Sequence, residues 1–292
     1  MSVSFVVRGP GVAGLTAHDL RMAVPYATTW KPDLEPDATG SLGGLSRVYR
    51  PGLSTRAIEV SRSAEELSVR ILVCSAPEDH ELALALTGTA AALAGVAEVE
   101  TEQDGPMPPG ELLDAFDRAW IEQEIAFGAS AVLRIAEEQP GRVANLAGPV
   151  RPTLIGPRVA AEIRTQWPGG VAAGLVAVMR RTQWPGDART SSVFAVSDGD
   201  RVVNLAVLAG GSRTILPDVH GIAIPNAGEQ LYLTPDSVVD LLPDHARFLD
   251  ERQVLVEPVE PDRWAAFLAI ARGATVALEA LGAERNRTVS AT

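Results

Sequence analysis

Apolar and polar residues alternate over residues 2–8 (SVSFVVR), which predicts a strand with one face turned to a core. Residues 15–24 (LTAHDLRMAV) change to helical spacing, with Thr16 placed as a cap, Asp19 answering it three residues later, and Pro25 as the stop. Residues 31–44 (KPDLEPDATGSLGG) combine prolines and glycines with few apolar anchors and are expected to be a loop. Strands resume at residues 46–50, 56–62 and 67–75, the last a near-continuous apolar run of the kind found in the middle of a sheet.

Residues 77–95 predict a helix that is apolar almost all round, with Pro77 in its first turn and Gly95 as its end. A strand at 96–102 and a proline-rich turn at 105–110 precede the longest helical pattern, which begins near Glu111. There Leu113, Phe116, Trp120, Phe127 and Ala131 form the expected core-facing stripe, and Asp114, Arg118 and Glu122 an i,i+4 ladder opposite. The second half predicts helices from about Pro157 and Val171. A hairpin over 191–211 follows, turning at Asp198 and Gly199, with strands at 220–224 and 230–233 after it. A helix opened by TPDSVVDLLP, a strand at 253–258 and a last helix presenting Trp264, Phe267, Leu268 and Ala271 complete the pattern. Helices and strands thus alternate without a regular βα rhythm, and the fold class is α+β around a mixed twisted sheet. The expected organisation is an N-terminal lobe over 1–150, a C-terminal lobe over 151–283 and a frayed tail over 284–292.

Composition narrows the partners. Against 25 basic residues stand 37 acidic ones, a net charge of −12 that repels phosphate backbones and anionic lipid, so neither a nucleic acid nor a membrane is expected as partner. Lys31 is the sole lysine, and the richness in Ala, Gly, Arg and Pro points to a high-GC bacterial genome. With Cys74 the single cysteine, an intramolecular disulfide is excluded. The first residues carry no basic stretch ahead of an apolar one, and the apolar run at 82–97 falls short of the ~20 residues that span a membrane. A cytoplasmic location is the expectation.

Four features carry candidate chemistry. Gly9, Gly11 and Gly14 spell G-x-G-x-x-G between an apolar run and a helical one, and this stretch resembles the dinucleotide fingerprint of FAD- and NAD-dependent oxidoreductases. The resemblance implies a pyrophosphate seated on the helix N-terminus. It covers about a dozen residues, and beyond them the sequence departs from the pattern: Pro25 halts the helix, and no second strand ending in an acid follows. His80, flanked by Asp79 and Glu81, is the candidate for acid–base work, its neighbours being expected to favour the protonated ring. The four histidines lack zinc-ligand spacing, so no metal is assigned, and no cofactor is assigned either. Finally RTQWPG occurs at 164–169 and again at 181–186, each copy ending a helical pattern. Arg164, Trp167, Arg181 and Trp184 are of the types that dominate protein interfaces, and core packing is the competing role for both tryptophans.

The expected function is therefore a non-catalytic accessory or binding protein, immunity- or antitoxin-like, acting by contact with another protein of basic character. Homo-oligomerisation stays open. The alternative is an oxidoreductase using the Gly9–Gly14 turn, or a transferase or hydrolase built on His80.

Overall fold

The computed structural model describes residues 2–24, 26, 28–32, 44–102, 104–139, 141–168, 170–198, 201–226 and 228–281. The chain is α+β and divides into two compact units. One comprises Met1–Arg134, Leu146–Pro152 and Ile163–Gln183, the other Ile135–Asn145, Thr153–Glu162 and Trp184–Thr292.

The first unit is built on strands β1 (Val3–Arg8), β2 (Thr29–Pro32), β3 (Gly44–Tyr49), β4 (Ile58–Arg62), β5 (Glu66–Ile71), β6 (Val99–Thr101) and β7 (Gly105–Met107). They make one sheet in the order β2-β3-β4-β5-β1-β6-β7, every neighbouring pair antiparallel. In this register Phe5 lies opposite Val69 on one side and Thr101 on the other. An antiparallel sheet needs only one apolar face, and the alternation in β1 and β5 provides it. Val3, Phe5, Val7, Leu67, Val69 and Ile71 are buried, whereas Arg8 on the opposite face bridges Glu66 at 3.0 Å and Glu100 at 2.9 Å. Helix α1 (Ala17–Ala23) follows β1, with Thr16 and Asp19 capping it reciprocally. Helix α2 (Pro77–Ala94) covers the apolar face with Leu82, Ala83, Leu86 and Ala90, and ends on Gly95 in the left-handed conformation, φ 66°.

Several expectations are corrected. β5 occupies the middle of its sheet but stops at Ile71, and its burial alternates, because only one face meets the core. The proline-rich stretch at 105–110 contributes strand β7, where Pro106 is tolerated because the strand is at the sheet edge. Of the expected loop at 31–44, Lys31 and Pro32 belong to β2 and Gly44 to β3, while 33–43 lie outside the described residues.

The long helix is two. Helix α3 (Leu112–Ala115) ends as Phe116 leaves helical geometry at φ −107°, ψ 57°. The Asp117 carboxylate then accepts the Trp120 amide at 2.9 Å and starts α4 (Arg118–Glu138). This break resets the phase: Leu113 and Phe127 are 65% and 54% exposed, and the buried stripe runs through Leu112, Phe116, Ile121, Ile125, Ala129 and Leu133. Phe116 stands edge-on to Phe5 at 5.0 Å and to Trp120 at 4.8 Å, which is why the chain turns there. Arg118 and Glu122 do pair, at 2.9 Å, but Asp114 belongs to the other helix and is no part of that ladder.

Strands β8 (Ala144–Leu146) and β9 (Thr153–Ile155) pair with each other, and helices α5 (Pro157–Gln166) and α6 (Val171–Gln183) follow. The second unit adds β10 (Arg189–Thr190), β11 (Val193–Asp198), β12 (Arg201–Val207), β13 (Thr214–Leu216), β14 (Gly221–Asn226) and β15 (Glu229–Leu233). After α7 (Pro235–Leu241) come β16 (Ala246–Phe248), β17 (Val254–Val256), α8 (Pro261–Ala274) and α9 (Leu278–Leu281). Two four-stranded sheets result, β10-β13-β17-β16 and β11-β12-β14-β15. The β11–β12 hairpin forms with Asp198 opposite Arg201, so its two connecting residues are 199 and 200, which lie outside the described residues. Phe267 and Ala271 of α8 are buried against Ile222, Ile224 and Leu233, with Trp264 and Leu268 on the same face as expected. Residues 282–292, including the expected tail, lie outside the described residues. Among the described residues no helix is long and apolar enough to cross a membrane.

The phase of α3 and α4 is open to a direct check by denaturant unfolding. Phe116→Ala should cost about 3–5 kcal/mol, as deletion of a buried aromatic does, and Phe127→Ala less than about 0.5 kcal/mol. Equal costs would contradict the break at Asp117.

Candidate functional site

The start of α2 concentrates the polar groups buried in the first unit. Between β5 and α2 the chain turns through Cys74, which at φ 63° is the one non-glycine residue with positive φ among those described. Ala76 has no side-chain oxygen with which to cap the helix, and Asp79 reaches back instead. Its Oδ2 accepts hydrogen bonds from the backbone N–H groups of Ala76 (3.0 Å), Thr55 (3.1 Å) and Arg56 (3.2 Å) and from the Thr55 hydroxyl (3.2 Å). Burial pushes the Asp79 pKa up to about 6, although hydrogen bonds from the Ser54 side chain and from the Arg56, Thr55 and Ala76 amides pull the other way. Its second oxygen, Oδ1, is buried without a hydrogen-bond partner. Arg56, also buried, donates to the carbonyls of Val73 (2.7 Å) and Ala147 (3.1 Å) and so ties the same loop to two further segments.

His80 belongs to this buried cluster. It is 3% exposed and stands edge-on to Trp120 at 5.7 Å. Burial pushes its pKa down to about 4, only partly offset by a hydrogen bond to the Ser75 backbone, and Nδ1 has no partner. The expectation that Asp79 and Glu81 favour the protonated ring is thus reversed. Asp79 is directed at the 54–56 loop and Glu81 at Arg50, 3.4 Å away, so desolvation decides. A neutral imidazole between α2 and Trp120 of α4 is packed as a buried ring.

The glycine turn is packed as well. Pro10–Gly14 form a single 3-10 turn, and α1 after it has only seven residues. A Cβ on Gly11 would stand 2.2 Å from the carbonyl oxygen of Ala94 at the end of α2. The turn therefore faces the partial negative charge of a helix C-terminus, which disfavours a pyrophosphate. β1 moreover pairs antiparallel with both neighbours, and the parallel βαβ unit that the fingerprint implies is not formed. Gly11 serves close packing of backbone on backbone, Gly9 lies against the Val96 side chain, and Gly14 has nothing within 4 Å of where a Cβ would stand.

Each RTQWPG copy ends a helix, α5 at Gln166 and α6 at Gln183. Arg164 is exposed; Trp167, Arg181 and Trp184 are half-buried. Trp167 lies over Gly174 of α6, where an added Cβ would come within 3.2 Å of the tryptophan Cβ, so this ring staples the end of α5 onto α6. At its other end α6 is held by buried Gln183, whose amide accepts from Val150 (3.0 Å) and donates to the Arg151 carbonyl (2.7 Å).

A concavity of the unit lies beside α6. A groove of about 500 Å³ lies between the start of α2, α4 and α6, floored by Ile125, Ala172, Ala173, Val176 and Ala177. A second, of about 370 Å³, continues along α2 and α4 past Leu113 and Ile121, and the two share Pro77, Glu78 and Glu122. Glu78 pairs with Arg180 at 2.8 Å and Glu122 with Arg118 at 2.9 Å, while Glu81 and Asp117 add two carboxylates to the rim. With Arg50 on Glu81 at 3.4 Å, four carboxylates thus face three guanidinium groups, a local excess of one negative charge. Sequence reasoning missed this groove. Its legible trace is the run of small residues at 172, 173, 176 and 177, which lie on one helical face. Among the described residues no group of three or more His, Cys, Asp or Glu is placed to hold a metal ion.

Two measurements check these assignments. Gly11→Ala should lower stability by about 1–3 kcal/mol through overpacking, whereas Gly14→Ala, with nothing within 4 Å of the new Cβ, should be near neutral. For pH, the folded state holds the Asp79 proton between the ordinary pKa of 3.8 and about 6, so that carboxyl's contribution is full below pH 4 and lost as pH rises through 6. His80, lowered from 6.5 to about 4, contributes fully above pH 6.5 and loses that as pH falls through 4. The two oppose each other. Relative to wild type, Asp79→Asn should lose stability on acidification from pH 6 to 4, and His80→Phe should gain it, each by up to about 3 kcal/mol; parallel profiles would refute both assignments. Comparison of the chain with protein-family models, with curated proteins and with solved structures finds no match.

Proposed function

We propose that this chain acts without catalysis, by contact with another protein, and that the groove between α2, α4 and α6 is where the contact is made. The observation that carries this reading is the pairing of an apolar floor with an acidic rim in one continuous depression. Leu113 and Ala173 are exposed there and Ala172, Val176 and Ala177 half-buried, and contiguous accessible apolar surface is a mark of an interaction site. The net charge of −12 acts in the same direction, since a strongly acidic protein steers basic partners and speeds their association at low salt. An immunity- or antitoxin-like role, an acidic protein covering a basic one, is the concrete form of the proposal. Trp167 enters it as the staple that fixes α6 as a groove wall, and Leu113, the most exposed apolar side chain beside the groove, extends the contact surface.

The reading is tested by affinity capture with a matched control. Ala173 is exposed on the groove floor, so Ala173→Arg fills the depression and offsets its excess negative charge without entering the core. Wild type should retain one partner in stoichiometric amount, cross-linked to residues of α4 or α6, and Ala173→Arg, with an unchanged melting temperature, should lose it. Equal recovery by both proteins would remove the groove from the function.

A further inference from the structure

We infer that the groove receives its partner as an amphipathic helix with lysine or arginine beside its apolar face. This rests on the groove reading above and adds the conformation and chemistry of what enters.

The conformation follows from the walls. α4 contributes Glu122 and Ile125, and α6 contributes Ala172, Ala173, Val176 and Ala177, all within helices whose backbone amides and carbonyls bond to their own turns. No strand borders the groove among its lining residues, so an extended segment laid there would find no ladder to join and would leave its own amides desolvated and unpaired. A helix brings its backbone hydrogen bonds with it. The relief of the floor favours the same occupant. Ala172 and Val176, and Ala173 and Ala177, form two rows of residues four apart with short side chains, and such rows let a second helix axis approach to about 8 Å.

The chemistry follows from the rim. Glu78, Glu81, Asp117 and Glu122 outnumber the arginines that pair with them, Arg180 on Glu78, Arg50 on Glu81 and Arg118 on Glu122, by one charge. The Arg118–Glu122 pair is exposed, and exposed pairs are worth little and exchange readily, so an incoming cation joins these carboxylates at small cost. Exposed Leu113 and Ala173, with half-buried Ala172, Val176 and Ala177, offer the apolar face its contacts. A second copy of this chain fits less well, because net charges of −12 would meet across an acidic rim.

The test uses the whole chain and three synthetic peptides of about 18 residues, long enough to sustain a helix. One is a Leu/Ala/Lys sequence with leucines at i, i+3, i+4 and i+7, the second carries two central prolines, and the third has glutamate for lysine. Fluorescence anisotropy should show the helical basic peptide binding, the proline and glutamate forms at least about tenfold weaker, and all binding to the helical basic peptide weakened as much by Ala173→Arg. If the proline form binds as well and remains sensitive to Ala173→Arg, the groove reading survives and the helix is wrong. Binding indifferent to Ala173→Arg refutes the groove itself. Failure of all three peptides to bind, or an Ala173-dependent dimer of the chain alone in sedimentation, overturns the helical basic partner.

Discussion

One buried carboxylate organises the first unit. α2 begins at a residue, Ala76, that has no side-chain oxygen, and the left-handed turn at Cys74 delivers the chain there after the central strand β5. Asp79 resolves both demands by accepting four hydrogen bonds, one that caps its own helix and three that fix Thr55 and Arg56. A helix start left with unpaired buried N–H groups costs about 1–3 kcal/mol for each. The position of α2 over the sheet, and of everything that leans on α2, depends on this carboxylate. The second unit repeats the device: Asp250, wholly buried, accepts the amides of Leu154 (2.9 Å), Arg252 (3.0 Å) and Gln253 (2.8 Å).

The remaining polar features of the first unit follow from that placement. With α2 fixed, His80 falls between α2 and Trp120 and is held neutral by burial, and the end of the helix falls on Gly11, where a carbonyl occupies the space that a phosphate would need. Pro77 and Glu78 come to the surface and form one wall of the groove. His80 and the Gly11 turn are thus packed inside, and the groove is lined by alanines and by carboxylates engaged with arginines.

Much of the local structure was legible. The alternation of β1, the reciprocal cap at Thr16 and Asp19, Gly95 as the end of α2, and the apolar face of α8 were each written in a short window, because each is fixed by neighbours within a few residues. The stripe through Leu113 and Phe127 misled because it assumed an unbroken helix. The reason for the break, Phe116 seated between Phe5 and Trp120, lies more than a hundred residues away in sequence on one side. His80 read as an acid–base candidate for a similar cause: its sequence neighbours are acidic, but Asp79 turns to Thr55 and Arg56, twenty-odd residues earlier. The groove left only a row of small residues, since its floor and rim come from three helices that sequence adjacency does not join.

The sequence by itself determined the α+β class, most strands and helices with their caps, the acidic surface and the absence of an intramolecular disulfide, all of which depend on residue type and short spacing. Tertiary structure alone decided strand order and the antiparallel setting of β1, the neutrality of His80, the closing of the glycine turn on Ala94 and the groove beside α6. Burial and electrostatic setting are properties of whatever packs against a residue, and those partners are brought together only by the fold.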